Sequence, residues 1–279
     1  MTFLQQVIKQ TLDIEIFKNM KIAILYICTG KYYVFFDKFY KSCQKYFLPN
    51  VEKTYFVFSD HDELSQYNYV VFTHKECEGF PNDSLFRFRT FLMREKELYN
   101  YDYVFFFNSN MEFVDYVDES ILPTEEDGNL CCLNADYDKH YPHPSFYPYE
   151  RNKKSVAYIP PGNSIYRYYH AGVNGGRVKE YLDMCKTLLL NIEKDMENGI
   201  VAIYHDESHI NRYFFDHPCK SLHSEYGTAE GSPNENNAKL ILVDKTKYSS
   251  YFNKGRSTSF WGKTKIVFWL IKHIVSWYL

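Results

Sequence analysis

Two short polar stretches of this 279-residue chain carry side chains suited to chemistry. The first is Asn108-Ser109-Asn110, which follows Tyr103-Val104-Phe105-Phe106-Phe107 without a break. An amide offers a neutral carbonyl and an NH₂ donor, so the pair can hydrogen-bond a sugar or a phosphate but makes a poor ligand set for a hard cation. The same residues also read as an Asx-turn closing a strand. The second stretch is Tyr204-His205-Asp206-Glu207-Ser208-His209, in which two carboxylates stand between two imidazoles. His205 and His209 lie one helical turn apart, as in a zinc-protease helix, yet that motif needs Glu directly after the first His and this chain has Asp206 there. Asp206 and Glu207 equally suit the first turn of a helix, whose amide dipoles favour negative charge.

Such residues need elements to position them. Five consecutive apolar or aromatic residues before Asn108 predict a strand buried on both faces, as at the centre of an α/β sheet. Ligands of open α/β sheets bind beyond the carboxyl ends of such strands. Residues 21–27 predict a first strand, and Thr29-Gly30-Lys31 a turn into an amphipathic helix running to about residue 47. Residues 51–59 and 67–73 predict two more strands. Residues 83–100 have helical spacing, with Leu85, Phe88, Leu92 and Leu98 among the apolar positions and Arg87, Arg89 and Arg94 among the basic ones. A further strand is expected at 130–133, a long helix at 177–198, and another helix from about Asp206. The alternation argues for an α/β fold with a largely parallel central sheet. Residues 137–151 and 227–237 read as loops. One main domain is expected over 20–262, with an N-terminal extension at 1–19 and a C-terminal tail at 263–279.

Composition narrows the partners. A net charge of −3 gives no reason to bind nucleic acid. Aromatic residues make up 19% of the chain, 27 of them Tyr, a side chain that joins a stacking face to a hydroxyl and suits sugars and uracil. The seven cysteines include no Cys-x-x-Cys pair and are expected as thiols in a reducing cytoplasm. Residues 1–18 hold no continuous apolar stretch of signal-peptide type. The tail's apolar run is broken by Lys272 and His273 and falls short of the ~20 residues a spanning helix needs. Trp269, Trp277 and Tyr278 beside Lys263, Lys265 and Lys272 suit a helix lying in an anionic membrane interface, which would place the protein on the inner face of the cytoplasmic membrane. A helix packed on the main domain is the competing reading.

Tyr204-His205-Asp206-Glu207-Ser208-His209-Ile210-Asn211-Arg212-Tyr213-Phe214 resembles the His-Asp-Glu-Ser-His-Leu-Asn-Lys-Tyr-Phe block of glycosyltransferase family 6, the family of the blood-group A and B transferases and the α-1,3-galactosyltransferases. Thr29-Gly30-Lys31-Tyr32, Tyr149-Glu150-Arg151, Ser155-Val156-Ala157-Tyr158-Ile159-Pro160, Tyr168-Tyr169-His170-Ala171-Gly172 and Gly175-Gly176 follow the family pattern in order. Several ordered blocks are far more specific than one motif.

The resemblance implies a GT-A-type, Rossmann-like fold and a retaining transfer from a UDP-sugar, with Glu207 as the catalytic carboxylate. Asn108 and Asn110 stand where GT-A enzymes carry Asp-x-Asp, as in bacterial members thought to work without metal, so no metal or other cofactor is expected. Ile27, Cys28 and Tyr32 would form the uridine site, with Tyr32 on uracil, and Arg87 would lie near the donor. His170, Ala171 and Gly172 match the segment that selects the donor sugar. Gly172 would leave room for an acetamido group, pointing to UDP-GalNAc, whereas His170 occurs in a galactosyl context, which keeps UDP-galactose open. Asp206 and His205 would position substrate hydroxyls. Lys245 and Lys247, with Lys254-Gly255-Arg256 beyond, match a basic segment that folds over the pyrophosphate. His143, in His143-Pro144-Ser145-Phe146-Tyr147, and Tyr204, where mammalian members have Trp, would meet a galactose-containing acceptor glycan. A non-catalytic carbohydrate-binding protein on a degenerate transferase fold is the alternative from another class.

Overall fold

Lys21–Ile27 forms the first strand, β1, and only Lys21 of its seven residues is exposed. Ile22, Ile24 and Tyr26 enter the core on one face of the sheet, while Ala23 and Leu25 enter the core on the other. That is the pattern of a strand covered on both sides. Glu52–Ser59 (β2) and Val70–His74 (β3) extend the sheet in parallel on one side, and Tyr103–Phe107 (β4) pairs in parallel on the other. Met111–Phe113 (β5), Asn129–Leu133 (β6), Tyr169–Arg177 (β7), Lys220–Leu222 (β8), Thr228–Ala229 (β9) and Leu240–Leu242 (β10) follow. The computed structural model describes residues 19–134, 137, 143–253 and 260–279. Most of the expected N-terminal extension and Lys254-Gly255-Arg256 lie outside them.

The large sheet runs β3-β2-β1-β4-β7-β6-β8, and a small one runs β5-β10-β9. Only β7 opposes its neighbours in the large sheet, so the sheet is largely parallel, as the alternation predicts and as a GT-A-type fold requires. β7 itself carries no strand signal in the sequence, because Gly172, Gly175 and Gly176 read as loop. A Cβ at Gly175 would lie 2.7 Å from the Val104 carbonyl oxygen and 2.9 Å from Phe105 Cδ1. Glycine is what lets β7 seat against β4.

Helix α1, Phe36–Tyr46, follows a 3-10 turn at Gly30–Phe35 and packs Phe36, Phe39 and Cys43 into the first core. Residues 83–100, expected as one helix, instead form Asn82–Leu85 (α2), Arg87–Leu92 (α3) and Glu95–Leu98 (α4). Neither Gly nor Pro breaks them. Arg94 is tied to β3 through the Phe72 carbonyl and Thr73 Oγ1, and Arg87 is tied to the Ala171 carbonyl of β7. Two anchors to the sheet override local helix preference. Val178–Glu197 (α5) buries Tyr181, Leu182, Cys185, Leu188 and Ile192 along one face, each side chain contributing about 1.5–3 kcal/mol, and His205–Asp216 (α6) follows. The expected loop at 227–237 holds β9 and a 3-10 turn at Glu235–Asn237.

The tail is a helix, α7, Phe260–Tyr278. His273 Nε2 hydrogen-bonds the Tyr147 carbonyl at 2.9 Å, and Trp277 is 5% exposed among Tyr147, Tyr149, Ile159 and Tyr168. Trp277, expected at a membrane interface, is therefore corrected to a core position: it fills the apolar gap over these tyrosines. Phe268, Ile271, Val275 and Tyr278 are exposed at helical spacing on another face. Among the described residues no helix is long and apolar enough to cross a membrane. None of the seven cysteines forms a disulfide.

Candidate active site

The register of β4 on β7 sets Phe107 opposite Val173, which brings Asn108 to the edge of the His170-Ala171-Gly172 segment. Asn108 N donates to the Gly172 carbonyl at 2.8 Å. Asn110 is buried and ties the segment after β10 to this end of the sheet. Its Nδ2 donates to the Val243 carbonyl at 3.0 Å, and its own carbonyl accepts from Val243 N at 2.8 Å. A cavity of about 480 Å³ opens beyond, lined by Ile27, Tyr32, Arg87, Asn108, Asn110 and Lys245 among others. Lys245 Nζ donates to Tyr32 Oη at 2.9 Å.

Two expected donor residues, Cys28 and Lys247, are not in the cavity lining. Cys28, between the lining residues Ile27 and Thr29, is fully buried, its N–H donating to Phe58 O and its carbonyl accepting from Ser59 Oγ. Lys247 turns outward, with Nζ 2.7 Å from Glu230 Oε1. Residues 245–247 form a single 3-10 turn capped by Asp244, and such a turn cannot aim both lysines into one cavity.

A second cavity, about 320 Å³, meets the first at Phe80, Ser84, Arg87 and Asn108. Its walls include His170, Ala171, Gly172, Tyr204, His205, Asp206 and Glu207. Helix α6 starts here. His205 has φ +52°, a left-handed conformation that costs a β-carbon-bearing residue ~1–3 kcal/mol and turns Asp206 and Glu207 inward at the positive end of the helix. Glu207 holds one donor on each oxygen: Tyr168 Oη donates to Oε1 at 2.6 Å and Ala171 N to Oε2 at 2.9 Å. Burial pushes its carboxyl above the usual range, and these two bonds and the Arg87 charge oppose the push.

Asp206 is held differently. Its Oδ2 lies 3.0 Å from Arg87 Nε, while the Nε hydrogen is directed at the Ser84 carbonyl at 3.2 Å. The oxygen is thus beside a positive charge and yet has no hydrogen bond. Burial raises its pKa to about 6, with Arg87 lowering it and Glu207 adding to the rise. Arg87 is 6% exposed and also stacks on Phe106 at 4.6 Å, so it acts as a buried counter-charge to the carboxylates at the junction of the cavities.

His170 Nδ1 accepts from Gly172 N at 3.0 Å, which leaves the proton on Nε2, and burial pushes its pKa down to about 4. A Cβ at Gly172 would fall 2.3 Å from His170 Cε1 and 2.8 Å from Asn108 Nδ2. The room expected beside Gly172 is therefore already filled by the imidazole. His209 is apart from this site, buried with Nε2 3.6 Å from Asp195 Oδ2. Among the described residues no three His, Cys, Asp or Glu are grouped to hold a metal. His143 lines neither cavity. Its Nδ1 pairs with Ser145 Oγ at 2.8 Å and its ring stacks 6.1 Å from Tyr278 of α7. Sequence reading passed over Tyr168, whose bond to Glu207 spans 39 residues, and the cavity residues Phe80, Ser84 and Ile203. Tyr168 stood inside a quoted family block, the one signal that could have marked it.

The Glycosyltransferase family 6 model matches residues 2–251. The chain is 32% identical over 236 residues to the O-antigen biosynthesis glycosyltransferase WbnI of Escherichia coli, covering 84% of this chain and 99% of that protein. It is 29% identical over 219 residues to globoside alpha-1,3-N-acetylgalactosaminyltransferase 1 of Gallus gallus, covering 75% of this chain and 62% of that one. Histo-blood group ABO system transferase 1 of Rattus norvegicus is 30% identical over 226 residues, covering 75% and 61%. With a matching family model over most of its length, a sheet of the expected type and paired cavities at the sheet's carboxyl end, this chain is a glycosyltransferase and belongs to glycosyltransferase family 6.

Proposed function

We propose that the protein transfers N-acetylgalactosamine from UDP-GalNAc to the 3-hydroxyl of a galactose-like acceptor, with retention and without a divalent metal. The observation that carries this reading is Glu207, a partly buried carboxylate in the wall of the smaller cavity, held by one donor on each oxygen. Loss of UDP leaves positive charge on the anomeric carbon, and a fixed carboxylate stabilises that charge or attacks it. Donor uracil lies on Tyr32, with the pyrophosphate toward Lys245. The donor set does not suit a hard cation. Asn108 and Asn110 are neutral, and Asp83, the carboxylate in the larger cavity, is bonded to Lys75 Nζ at 2.6 Å, Gly79 N at 2.9 Å and Thr29 Oγ1 at 3.1 Å. Lys245 offsets the charge of the departing UDP in place of an ion.

The relatives' names, an alpha-1,3-N-acetylgalactosaminyltransferase among them, support the sugar and the linkage. UDP-galactose is the second reading, favoured by His170 in the space beside Gly172. A panel of UDP-sugars and galactosides, run with and without excess EDTA, tests both. UDP release with UDP-GalNAc, little changed by EDTA, is expected. Activity that disappears in EDTA and returns with Mn²⁺ would sink the metal-free reading, and faster transfer from UDP-galactose would select the second donor. Glu207→Gln should lower kcat by roughly two or more orders of magnitude at similar UDP affinity, and near-normal turnover would remove Glu207 from the mechanism.

The proposal extends to a surface. The stripe Phe268, Ile271, Val275 and Tyr278 is exposed, and residues 260–279 contain three lysines and no acidic residue. This composition fits the interface of an anionic bilayer, with α7 lying flat on the inner face of the cytoplasmic membrane.

A further inference from the structure

The smaller cavity is graded from its outer lip to its inner end. Asp206, Arg87 and Ala171 are 3%, 6% and 5% exposed, whereas Phe80, Tyr204 and Ile203 are 80%, 39% and 38% exposed. The charged groups are therefore deep and the lip is apolar. Phe80 is the most exposed of the three and belongs to both cavities. Its ring meets the His205 ring edge to face, with centroids 4.8 Å apart.

The loop carrying Phe80 is tied down. Asp83 accepts hydrogen bonds from Gly79 N at 2.9 Å, Glu78 N at 3.3 Å and Lys75 Nζ at 2.6 Å. Gly79, at φ +75°, makes the turn that presents the next residue. A backbone held in this way, with the ring resting against His205, keeps an aromatic face available at a smaller ordering entropy per binding event.

We propose that Phe80 is a positioning residue for the acceptor: its ring, at the lip with Tyr204, stacks on the apolar C–H face of the acceptor pyranose and orients the reacting hydroxyl toward the deeper wall that carries Glu207 and Arg87. This rests on the reading that the acceptor enters the smaller cavity. Galactose suits the platform, because its axial 4-hydroxyl gathers the C–H groups at positions 3, 4 and 5 on one side of the ring. A ring stacked on a sugar resembles other aromatic contacts in strength.

The test measures acceptor KM, kcat and the UDP dissociation constant for the full chain and for Phe80→Ala, Phe80→Tyr and Phe80→Trp, with Lys179→Ala as a surface control. Phe80→Ala should raise acceptor KM by roughly tenfold, with a smaller change in UDP affinity. Phe80→Tyr or Phe80→Trp should recover most of the loss, which a role in folding or in donor binding would not produce. An unchanged acceptor KM in folded Phe80→Ala, or a loss confined to UDP affinity, overturns the platform while leaving the transferase reading in place. Full-length wild-type protein that transfers to no galactoside overturns the acceptor assignment and the platform with it.

Discussion

Asp206 and Glu207 are neighbours in sequence and differ in what holds them. Glu207 is satisfied on both oxygens, whereas Asp206 faces Arg87 with one oxygen unbonded. The proposed transfer uses Glu207 ionised beside an ionised Asp206, and burial raises both pKa values, that of Asp206 to about 6. Because the folded pKa is raised, the charged form is lost as pH falls through it. The kcat profile should therefore drop on its acid side near pH 6. His170 and His209, pushed down to about 4, are already neutral there and cannot produce the limb. Asp206→Asn should remove the limb from that region, and His170→Ala should leave it; the opposite result would assign the limb to the imidazole. At Gly172 the contacts predict a second outcome. Gly172→Ala should cost ~1–3 kcal/mol of stability through overpacking, read as a lower melting temperature, and should slow transfer of both sugars. Adding His170→Ala should restore part of that stability, the Asn108 amide 2.8 Å from the same position being the other contact. A variant that merely shifted the donor ratio at unchanged stability would show that the imidazole moves aside freely.

At the scale of elements, the 3-10 turn after β10 separates two lysines that the sequence could not tell apart. Lys245→Ala should weaken UDP binding about tenfold in titration calorimetry, the loss of one charge-assisted contact. Lys247→Ala, at an exposed pair with Glu230, should change it by less than about twofold. Equal losses would mean that the turn rearranges around the ligand. The strands were legible because five-residue apolar runs such as 103–107 have no other place to go, and α5 because its apolar stripe holds over twenty residues. β7 was hidden, since its glycines answer to the backbone of β4 and not to any local preference. The break between α2 and α3 was hidden for the same kind of reason: Arg87 is bonded to a carbonyl 84 residues away. Glu207 was legible only through resemblance, as Asp-Glu at a helix start is common, and Tyr168 waited for the fold to bring it near.

Across the whole molecule, α7 joins the far end of the chain to the site. Trp277 packs on Tyr149 and Tyr166, with ring centroids 6.4 and 5.1 Å away, Tyr149 packs on Tyr168 at 5.6 Å, and Tyr168 bonds Glu207. Trp277→Ala should cost ~3–5 kcal/mol as a core cavity and lower kcat as well. Ile271→Asp with Val275→Asp, on the exposed stripe, should leave the melting temperature nearly unchanged and reduce sedimentation with anionic liposomes at low salt. Liposome binding that survives both changes would remove the stripe from the interface, and a wild-type protein that ignores liposomes would leave α7 a purely structural helix.

The contact between His170 and the space beside Gly172 also couples two positions in descent. A lineage that places alanine at 172 must move or shrink the imidazole and shift the Asn108 amide, whose Nδ2 lies 2.8 Å from the same position. A smaller residue at 170 removes the tighter of the two contacts, so the effects of changes at 170 and 172 depend on each other and do not add. Relatives that have traded one donor sugar for another should thus carry these two residues as a linked pair, with the combination of a ring at 170 and a methyl at 172 occurring only where the ring has found a second place to sit.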